Sequence, residues 1–176
     1  YATQPVCIMN GLYLGDEHNA ASTAQLSRLR ISHILNVARE VENPFKTANN
    51  HGNHGNHNNH IVGPPDSSTS TTTTTTTTTT MQITYKKFSW SHSEEDLRPH
   101  FDQAFEFIDT ARRAGSSVLV HCQLGVSRSA TLIVAYVMRL LRLPLNDAYS
   151  YVKDRSPCIS PNLGLIYQLL EYEKAL

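Results

Sequence analysis

Val118-Leu119-Val120-His121-Cys122-Gln123-Leu124-Gly125-Val126-Ser127-Arg128-Ser129 is the stretch that decides the fold of this chain. It joins an apolar run of β type to a cysteine, a short loop and an arginine. The segment that follows, Ser129 to Arg142, has the length and apolar content of a helix, and Ser129 is expected to cap its start. The stretch therefore predicts a buried strand, a tight loop and a helix N-terminus in direct succession.

The loop after Cys122 is predicted to bind a phosphate group without a metal ion. Its backbone N–H groups can turn inward at the positive end of the helix dipole. The same field favours the thiolate form of Cys122, which is the nucleophilic form. The guanidinium of Arg128 matches two phosphate oxygens and should bind them more tightly in the transition state. The predicted phosphate-binding residues are Gln123, Leu124, Gly125, Val126, Ser127 and Arg128.

The spacing of a cysteine and an arginine is weak evidence alone, because it also arises by chance. The conjunction is more specific: a strand precedes it, a helix follows, His121 stands before the cysteine and Ser129 after the arginine. Gly125 lies where the loop needs a backbone without a Cβ atom. The alternative is a buried structural cysteine in a strand-to-helix turn.

The motif from His121 to Ser129, His-Cys-x5-Arg-Ser, resembles the cysteine-dependent protein tyrosine phosphatases. The flanking sequence is most similar to the dual-specificity branch, in particular the catalytic domains of MAP-kinase phosphatases. This resemblance covers nearly the whole chain outside one insert. It implies a cysteine-phosphatase fold, a cysteinyl-phosphate intermediate and no cofactor. The further matching pieces are Asn10–Gly15, Ile34–Ala38, Asn146–Tyr149, and Ile159–Asn162 followed by Gln168–Glu173.

The resemblance also implies a proton donor for the departing oxygen of the substrate. Relatives carry an aspartate on the loop after the strand that ends near Trp90, but here that position holds His92, with Glu94, Glu95 and Asp96 just beyond. Three interpretations stay open. His92 donates the proton as an imidazolium; or the loop is shifted so that Asp96 or Glu94 faces the pocket; or His92 is a surface histidine and proton delivery is inefficient.

Other residues are expected to support the chemistry. Ser129 carries a hydroxyl where relatives stabilise the departing thiolate in the hydrolytic step, and this role is compatible with helix capping. His121 is expected to hold the shape of the loop through backbone hydrogen bonds. Asn162 either braces the loop, as the matching position in relatives does, or only begins the last helix. Cys7 and Cys158 are expected to be plain core or surface thiols.

Composition agrees with one soluble domain. The 176 residues carry a formal net charge of +0 and a hydrophobic fraction of 40%. No apolar run is long enough to cross a bilayer, Tyr1 begins no signal-peptide pattern, and nothing indicates binding to nucleic acid or membrane. The three cysteines have no paired spacing and no zinc-type clustering, which suits a reducing compartment, the cytoplasm or the nucleus. Because the sequence starts at Tyr1, we expect a domain cut from a longer chain.

A low-complexity segment from about Lys46 to Thr80 is expected to be a disordered insert. It consists of Asn/His/Gly repeats, Gly63-Pro64-Pro65 and a run of threonine from Thr71 to Thr80. Such a tract cannot bury enough apolar area to offset its ordering entropy, and a long surface loop adds little closure cost. The repeats lack a rigid scaffold, so weak nickel or zinc binding is not the favoured role of their histidines, His51, His54, His57 and His60.

Without the insert about 140 residues remain, enough for one well-buried core. The hydrophobic periodicity predicts an α/β fold with a central, mostly parallel twisted sheet flanked by helices, in a monomer. The expected strands are Val6–Leu14 (strand or hairpin), Ile31–Ala38, Met81–Trp90 and Val118–His121. The expected helices are Asn19–Leu29, Arg98–Arg113, Ser129–Arg142, Leu145–Arg155 and one from Asn162 to about Lys174.

The substrate class is implied by the resemblance. Dual-specificity relatives have shallow pockets, and the chain shows no inserted loop that would clamp phosphotyrosine, so both phosphotyrosine and phosphoserine or phosphothreonine are expected substrates. The variation at Trp90-Ser91-His92 and the insert look like fungal MAP-kinase phosphatases, which implies a phosphorylated MAP kinase as partner. Two alternatives are a pseudophosphatase that only binds phosphoproteins, and a phosphatase for a phosphoinositide, a glucan or an RNA 5′ phosphate.

Overall fold

The computed structural model describes residues 1, 3–45, 82–91 and 96–176. The predicted insert, its histidine repeats, His92 and Glu94 all lie outside these residues.

The sheet has five strands in the order β1-β2-β5-β3-β4. The β1–β2 pair is antiparallel, and the pairs β2–β5, β5–β3 and β3–β4 are parallel, so the prediction of a mostly parallel sheet is confirmed. The segment predicted as a strand or hairpin at the start of the chain forms a hairpin. The strands are β1 (Val6–Met9), β2 (Leu12–Gly15), β3 (Ile31–Asn36), β4 (Thr84–Lys87) and β5 (Ser117–His121).

The central position of β5 follows from its composition. Val118, Leu119 and Val120 are fully buried, as expected of a strand that has neighbours on both sides and helices on both faces. At the carboxyl end of β5, His121 is paired with Gly15 of β2 and Asn36 of β3. Residues that follow these three parallel strands therefore emerge at one edge of the sheet, which is the usual location of a binding site.

Six α-helices complete the described part of the chain. The segment predicted as one helix from Asn19 to Leu29 is two short helices, because Ser22 ends the first and its side chain accepts a hydrogen bond from the Gln25 N–H of the second. A single 3₁₀ turn, Arg98–His100, precedes the third helix. The helices are α1 (Glu17–Ala21), α2 (Thr23–Arg28), α3 (Phe101–Arg113), α4 (Arg128–Leu141), α5 (Leu145–Arg155) and α6 (Leu163–Glu173).

Helix α4 starts one residue earlier than predicted, and the expected capping by Ser129 is wrong. Ser127 is the N-cap residue, and within the described residues its side chain makes no capping hydrogen bond. Ser129 lies inside the first turn, where its hydroxyl bonds to Cys122 instead of to backbone. The helix ends at Leu141, and its C-cap residue Arg142 has a left-handed φ of 55°. All residues from Arg128 to Met138 are buried, so α4 lies at the centre of the helical layer.

The core has two parts, one on each face of the sheet. The larger part packs Leu12, Leu14, Val118 and Val120 against α3–α6. The smaller part packs Leu119 and Ile34 with apolar residues of α1 and α2. This alternation along β5 is what a strand between two helical layers requires. Among the described residues no helix has the length and apolarity to span a membrane.

Candidate active site

Cys122 lies in the loop between the end of β5 and the start of α4, and the residue is only 3% exposed to solvent. The sulfur accepts a hydrogen bond from the Ser129 hydroxyl, with an oxygen–sulfur distance of 3.2 Å. Ser129 is fully buried, so this donor is screened from water. A buried hydroxyl aimed at a sulfur atom can stabilise negative charge on it. The pair is equipped to hold a sulfur anion.

The loop that follows Cys122 can be built only with glycine at position 125. Gly125 has a φ of +72°, in the left-handed region, and a Cβ atom placed there would lie 2.5 Å from the Gly15 carbonyl oxygen and 2.4 Å from the Tyr1 ring. Real contacts are never that short, so any side chain would displace the loop or strand β2.

Contacts from three other segments fix the loop backbone. The Gln123 carbonyl accepts a hydrogen bond from the Glu17 N–H at 3.1 Å, and the Val126 carbonyl accepts one from the Ser160 N–H at 2.8 Å. The Gly125 carbonyl accepts one from the Tyr1 hydroxyl at 2.9 Å. Because its carbonyl groups are held from outside, the loop has a defined shape at the helix N-terminus, as an anion-binding nest needs.

Arg128 is the first residue of α4, and its side chain is 2% exposed. Its two terminal nitrogens both donate to the Glu40 carboxylate: Nη1 to Oε2 at 2.9 Å, and Nη2 to Oε1. Nη1 also donates to the Trp90 carbonyl oxygen at 2.8 Å. The guanidinium is therefore held by a bidentate ion pair and a backbone carbonyl.

Glu40 is the residue of this site that the sequence interpretation missed. It lies in the segment that follows β3, and the carboxyl end of β3 pairs with that of β5. A carboxylate in the segment after a parallel strand, at the sheet edge where Cys122 follows a neighbouring strand, is a signal that could have identified it.

His121 is fully buried behind the loop. Its Nδ1 lies 3.0 Å from the Cys122 carbonyl oxygen, and a carbonyl can only accept, so Nδ1 is assigned as the donor. Burial lowers the pKa of His121 to about 4, and the hydrogen bond to Cys122 opposes that shift in part. Among the described residues none forms a hydrogen bond with Nε2. The neutral imidazole is placed to donate to the backbone of Cys122, at the start of the loop.

Of the three candidate proton donors, the structure describes only Asp96. His92 and Glu94 lie outside the described residues. Asp96 is exposed, and its carboxylate accepts hydrogen bonds from Nε and Nη2 of Arg98, both at 2.8 Å. These bonds lower the pKa of Asp96. A carboxylate stabilised in its ionised form is a poor proton donor near neutral pH, so this geometry disfavours Asp96.

Asn162 caps the last helix. Its side-chain oxygen accepts a hydrogen bond from the Leu165 N–H at 2.9 Å, as one of the two interpretations expected. The contact that braces the phosphate loop comes instead from the backbone of Ser160, two residues earlier. The Ser-Pro-Asn segment therefore serves both purposes, but with different residues.

Cys7 and Cys158 are exposed, and within the described ranges the three cysteines form no disulfide. Burial raises the pKa of Cys158, but hydrogen bonds from Ser156 and Tyr1 outweigh this and lower it. In the described part of the chain, no cluster of three or more His, Cys, Asp or Glu side chains is placed to hold a metal ion.

Residues 12–175 match the family described as dual specificity phosphatase, catalytic domain. Among curated proteins, dual specificity protein phosphatase 9 of Homo sapiens is 37% identical over 177 residues, which cover 99% of this chain and 38% of that protein. The chain thus spans well under half the length of this relative.

Two solved structures are similar along nearly the whole chain. Human DUSP28 gives a TM-score of 0.73 at 26% identity and covers 97% of this chain and 93% of its own. Human tyrosine phosphatase-like serine/threonine/tyrosine-interacting protein gives 0.72 at 27% identity and covers 98% and 97%. Since the family match extends over residues 12–175 and the cysteine, arginine and serine of the motif lie together at one helix N-terminus, the chain belongs to the dual-specificity phosphatase family.

Proposed function

We propose that this domain removes phosphate from phosphotyrosine and from phosphoserine or phosphothreonine in proteins, through a cysteinyl-phosphate intermediate. The observation that carries the proposal is the buried hydrogen bond from Ser129 to the Cys122 sulfur at the N-terminus of α4. A hydroxyl in that position stabilises the sulfur anion that must attack and later depart.

In the first step the Cys122 thiolate attacks phosphorus, and a sulfur–phosphorus bond forms. The bond between phosphorus and the substrate oxygen breaks, and that oxygen takes a proton from the general acid. Arg128 and the backbone N–H groups of the loop bind the equatorial oxygens, where charge spreads in the transition state.

In the second step a water molecule attacks phosphorus, and the sulfur–phosphorus bond breaks. The group that gave its proton in the first step takes one from this water. Cys122 leaves as a thiolate, which accepts the hydrogen bond from Ser129. The products are inorganic phosphate and the starting enzyme, so the atoms and charges balance.

We assign His92 as the general acid. Its place in the sequence corresponds to the aspartate of relatives, and Asp96 is held ionised by Arg98. An imidazolium has a suitable acidity for proton donation near neutral pH.

The proposed substrate is a phosphorylated MAP kinase in the cytoplasm or nucleus, bound by a monomeric domain. Sequence resemblance to MAP-kinase phosphatases supports this. The four loop residues Gln123, Leu124, Val126 and Ser127 are uncharged, which disfavours a highly charged phosphoinositide or RNA end as substrate.

A single assay tests the proposal: hydrolysis of a doubly phosphorylated MAP-kinase activation-loop peptide, compared with a phosphoinositide, with Cys122→Ser as the inactive control. We expect turnover of the peptide and a covalent phosphate trapped on the wild-type protein by acid quench. Preference for the phosphoinositide would contradict the substrate class. Peptide binding without turnover would instead indicate a phosphoprotein-binding pseudophosphatase, the role suggested by the missing aspartate.

A further inference from the structure

Glu40 is an exposed residue whose carboxylate nevertheless binds a buried group of the phosphate site. Its side chain is 34% exposed, but it binds the Arg128 guanidinium, which is only 2% exposed. A buried guanidinium requires a partner of opposite charge. Because the carboxylate engages both terminal nitrogens, it fixes the plane of the guanidinium as well as its position.

The segment that carries Glu40, residues 37–41, is braced from the interior by Asn36. The Asn36 side chain is fully buried; its oxygen accepts from the Ala38 N–H at 2.8 Å, and its nitrogen donates to the Val41 carbonyl at 2.7 Å. The same nitrogen lies 2.8 Å from the Tyr85 hydroxyl on β4. One amide therefore ties both ends of the segment together.

Lys87, the last residue of β4, holds the same segment through two of its backbone carbonyl groups. Its ammonium group donates to the Arg39 carbonyl at 3.0 Å and to the Val41 carbonyl at 2.8 Å, the two carbonyls on either side of Glu40 in the chain. The Arg39 N–H donates to the Trp90 carbonyl, which also accepts from Arg128. Glu40 is thus presented by a backbone that is fixed on both sides.

We propose that Glu40 is the positioning residue for Arg128, and that Lys87 positions Glu40. This inference rests on the proposed phosphatase function, because it assigns Arg128 to the binding of substrate phosphate. A guanidinium has two edges that can donate in a bidentate manner, so one side chain can hold a carboxylate and a phosphate together. Alignment before the substrate arrives lowers the cost of forming the transition-state contact.

The competing explanation is that Glu40 occupies the guanidinium in place of phosphate and must move away for the substrate to bind. The two explanations predict opposite changes in oxyanion affinity when the Glu40 carboxylate is removed. Loss of the carboxylate weakens oxyanion binding if Glu40 aligns Arg128, and strengthens it if Glu40 competes. The hydrogen bonds from Asn36 and Lys87 to residues 37–41 favour the first explanation, alignment of Arg128. They fix the backbone that carries Glu40, whereas a carboxylate that must move away from Arg128 would be hindered by a fixed backbone.

The test uses Glu40→Gln, Glu40→Asp, Lys87→Met and the matched control Lys86→Met. Lys86 is the neighbour of Lys87 on β4, but its ammonium group contacts the Gln103 carbonyl and the Phe88 ring. Two quantities are measured: kcat/KM on p-nitrophenyl phosphate, and the dissociation constant of tungstate, a tetrahedral oxyanion. Thermal melting of each variant reports folding.

We expect Glu40→Gln to lower kcat/KM and to weaken tungstate binding, each about tenfold, with partial recovery in Glu40→Asp. Lys87→Met should move both quantities in the same direction by a smaller factor, and Lys86→Met should leave them unchanged. In the Arg128→Lys background, Glu40→Gln should change tungstate binding less than about twofold, because the residue acts through Arg128. If Glu40→Gln acted only by a general loss of structure, its effect on tungstate binding would be the same with arginine or lysine at position 128.

Unchanged or tighter tungstate binding in Glu40→Gln overturns the inference. Equal kcat/KM and equal tungstate affinity in Lys87→Met and Lys86→Met overturn the part that concerns Lys87. If Lys87→Met does not fold, the Glu40 variants decide, since their side chain is partly exposed. If the wild-type protein binds tungstate but hydrolyses no ester, the proposed function fails, while the tungstate comparison still judges the role of Glu40.

Discussion

At the scale of single residues, one buried hydroxyl determines how the second chemical step can proceed. Ser129 is fully buried and donates to the Cys122 sulfur, so the anion that leaves phosphorus has a hydrogen-bond donor already in place. A hydrogen bond to a charged group contributes about 1.5–3 kcal/mol, which corresponds to a factor of about 10–100 in rate.

Ser129→Ala should therefore slow the release of Cys122 from the phosphoenzyme by about 10–100-fold and affect its formation less. Rapid-mixing measurements with p-nitrophenyl phosphate should show a burst of product followed by a slow steady state. A loss of rate without a burst would show that the hydroxyl acts in the first step or only in folding.

His92→Ala should lower turnover of an alkyl phosphate by about two orders of magnitude, because the departing alkoxide then lacks its proton donor. The effect should be much smaller with a phenolate leaving group, which needs no proton. The matched control is Asp96→Asn, which should leave the rate nearly unchanged because Asp96 is held ionised by Arg98. Equal losses on the two substrates would speak against the donor role of His92.

At the scale of elements, the unit formed by β5, the loop and α4 depends on one backbone conformation. Gly125 and Gly115 both have a positive φ, +72° and +73°, but their surroundings differ. A Cβ atom on Gly125 would collide with the Gly15 carbonyl, whereas on Gly115, after α3, it would meet no described atom within 4 Å.

Gly115→Ala should cost about 1 kcal/mol of unfolding free energy, the strain of a left-handed alanine. Gly125→Ala adds a collision with the β2 backbone, so we expect a loss of about 3 kcal/mol or more and little remaining phosphatase activity. Urea denaturation of the two variants measures the difference. Similar losses in both would show that strand β2 moves away easily.

Helices and strands could be predicted where the local hydrophobic pattern determines them. They were harder to predict where side-chain hydrogen bonds determine their boundaries. The apolar run of β5 and the uniformly apolar α4 have unambiguous patterns, and both were predicted within one residue at their starts. The break between α1 and α2 was missed because Ser22 reads as an ordinary polar position inside an apolar repeat. The mistaken capping role of Ser129 has a similar cause, since a serine at a helix start has two possible partners for its hydroxyl.

At the scale of the whole molecule, the strand order decides which residues meet. Cys122, Arg128 and Ser129 are close in sequence, so the motif alone brought them together. Glu40 is separated from Arg128 by 88 positions and reaches it only because β3 and β5 are neighbours in the sheet. That adjacency is a property of the topology, and no local pattern encodes it.

The molecule as a whole should lose stability in mild acid because of His121. Its pKa is near 6.5 in the unfolded chain and about 4 in the fold, so the unfolded state binds the proton more strongly. The contribution of neutral His121 to the free energy of unfolding is fully present above pH 6.5 and is lost as the pH falls toward 4. The loss amounts to about 3 kcal/mol over that range.

Chemical denaturation between pH 7 and 4.5 measures this slope, and His121→Gln should flatten it. Burial also lowers the pKa of the partly exposed His33, which acts in the same direction but more weakly, so His33→Gln is the matched comparison. A slope that persists unchanged in His121→Gln would show that other groups cause the acid sensitivity.

The hydrogen bond from Tyr1 to Gly125 bears on how the protein can be handled in the laboratory. A fluorophore or affinity tag joined at Tyr1 would sit beside the phosphate loop and disturb it. Leu176 is a better attachment point, because it lines a cleft with Arg142 and Leu143, beyond the far end of α4. At 1.5 Å per residue that helix separates the dye from the reaction centre by about 20 Å, so labelled protein should turn over substrate at the native rate.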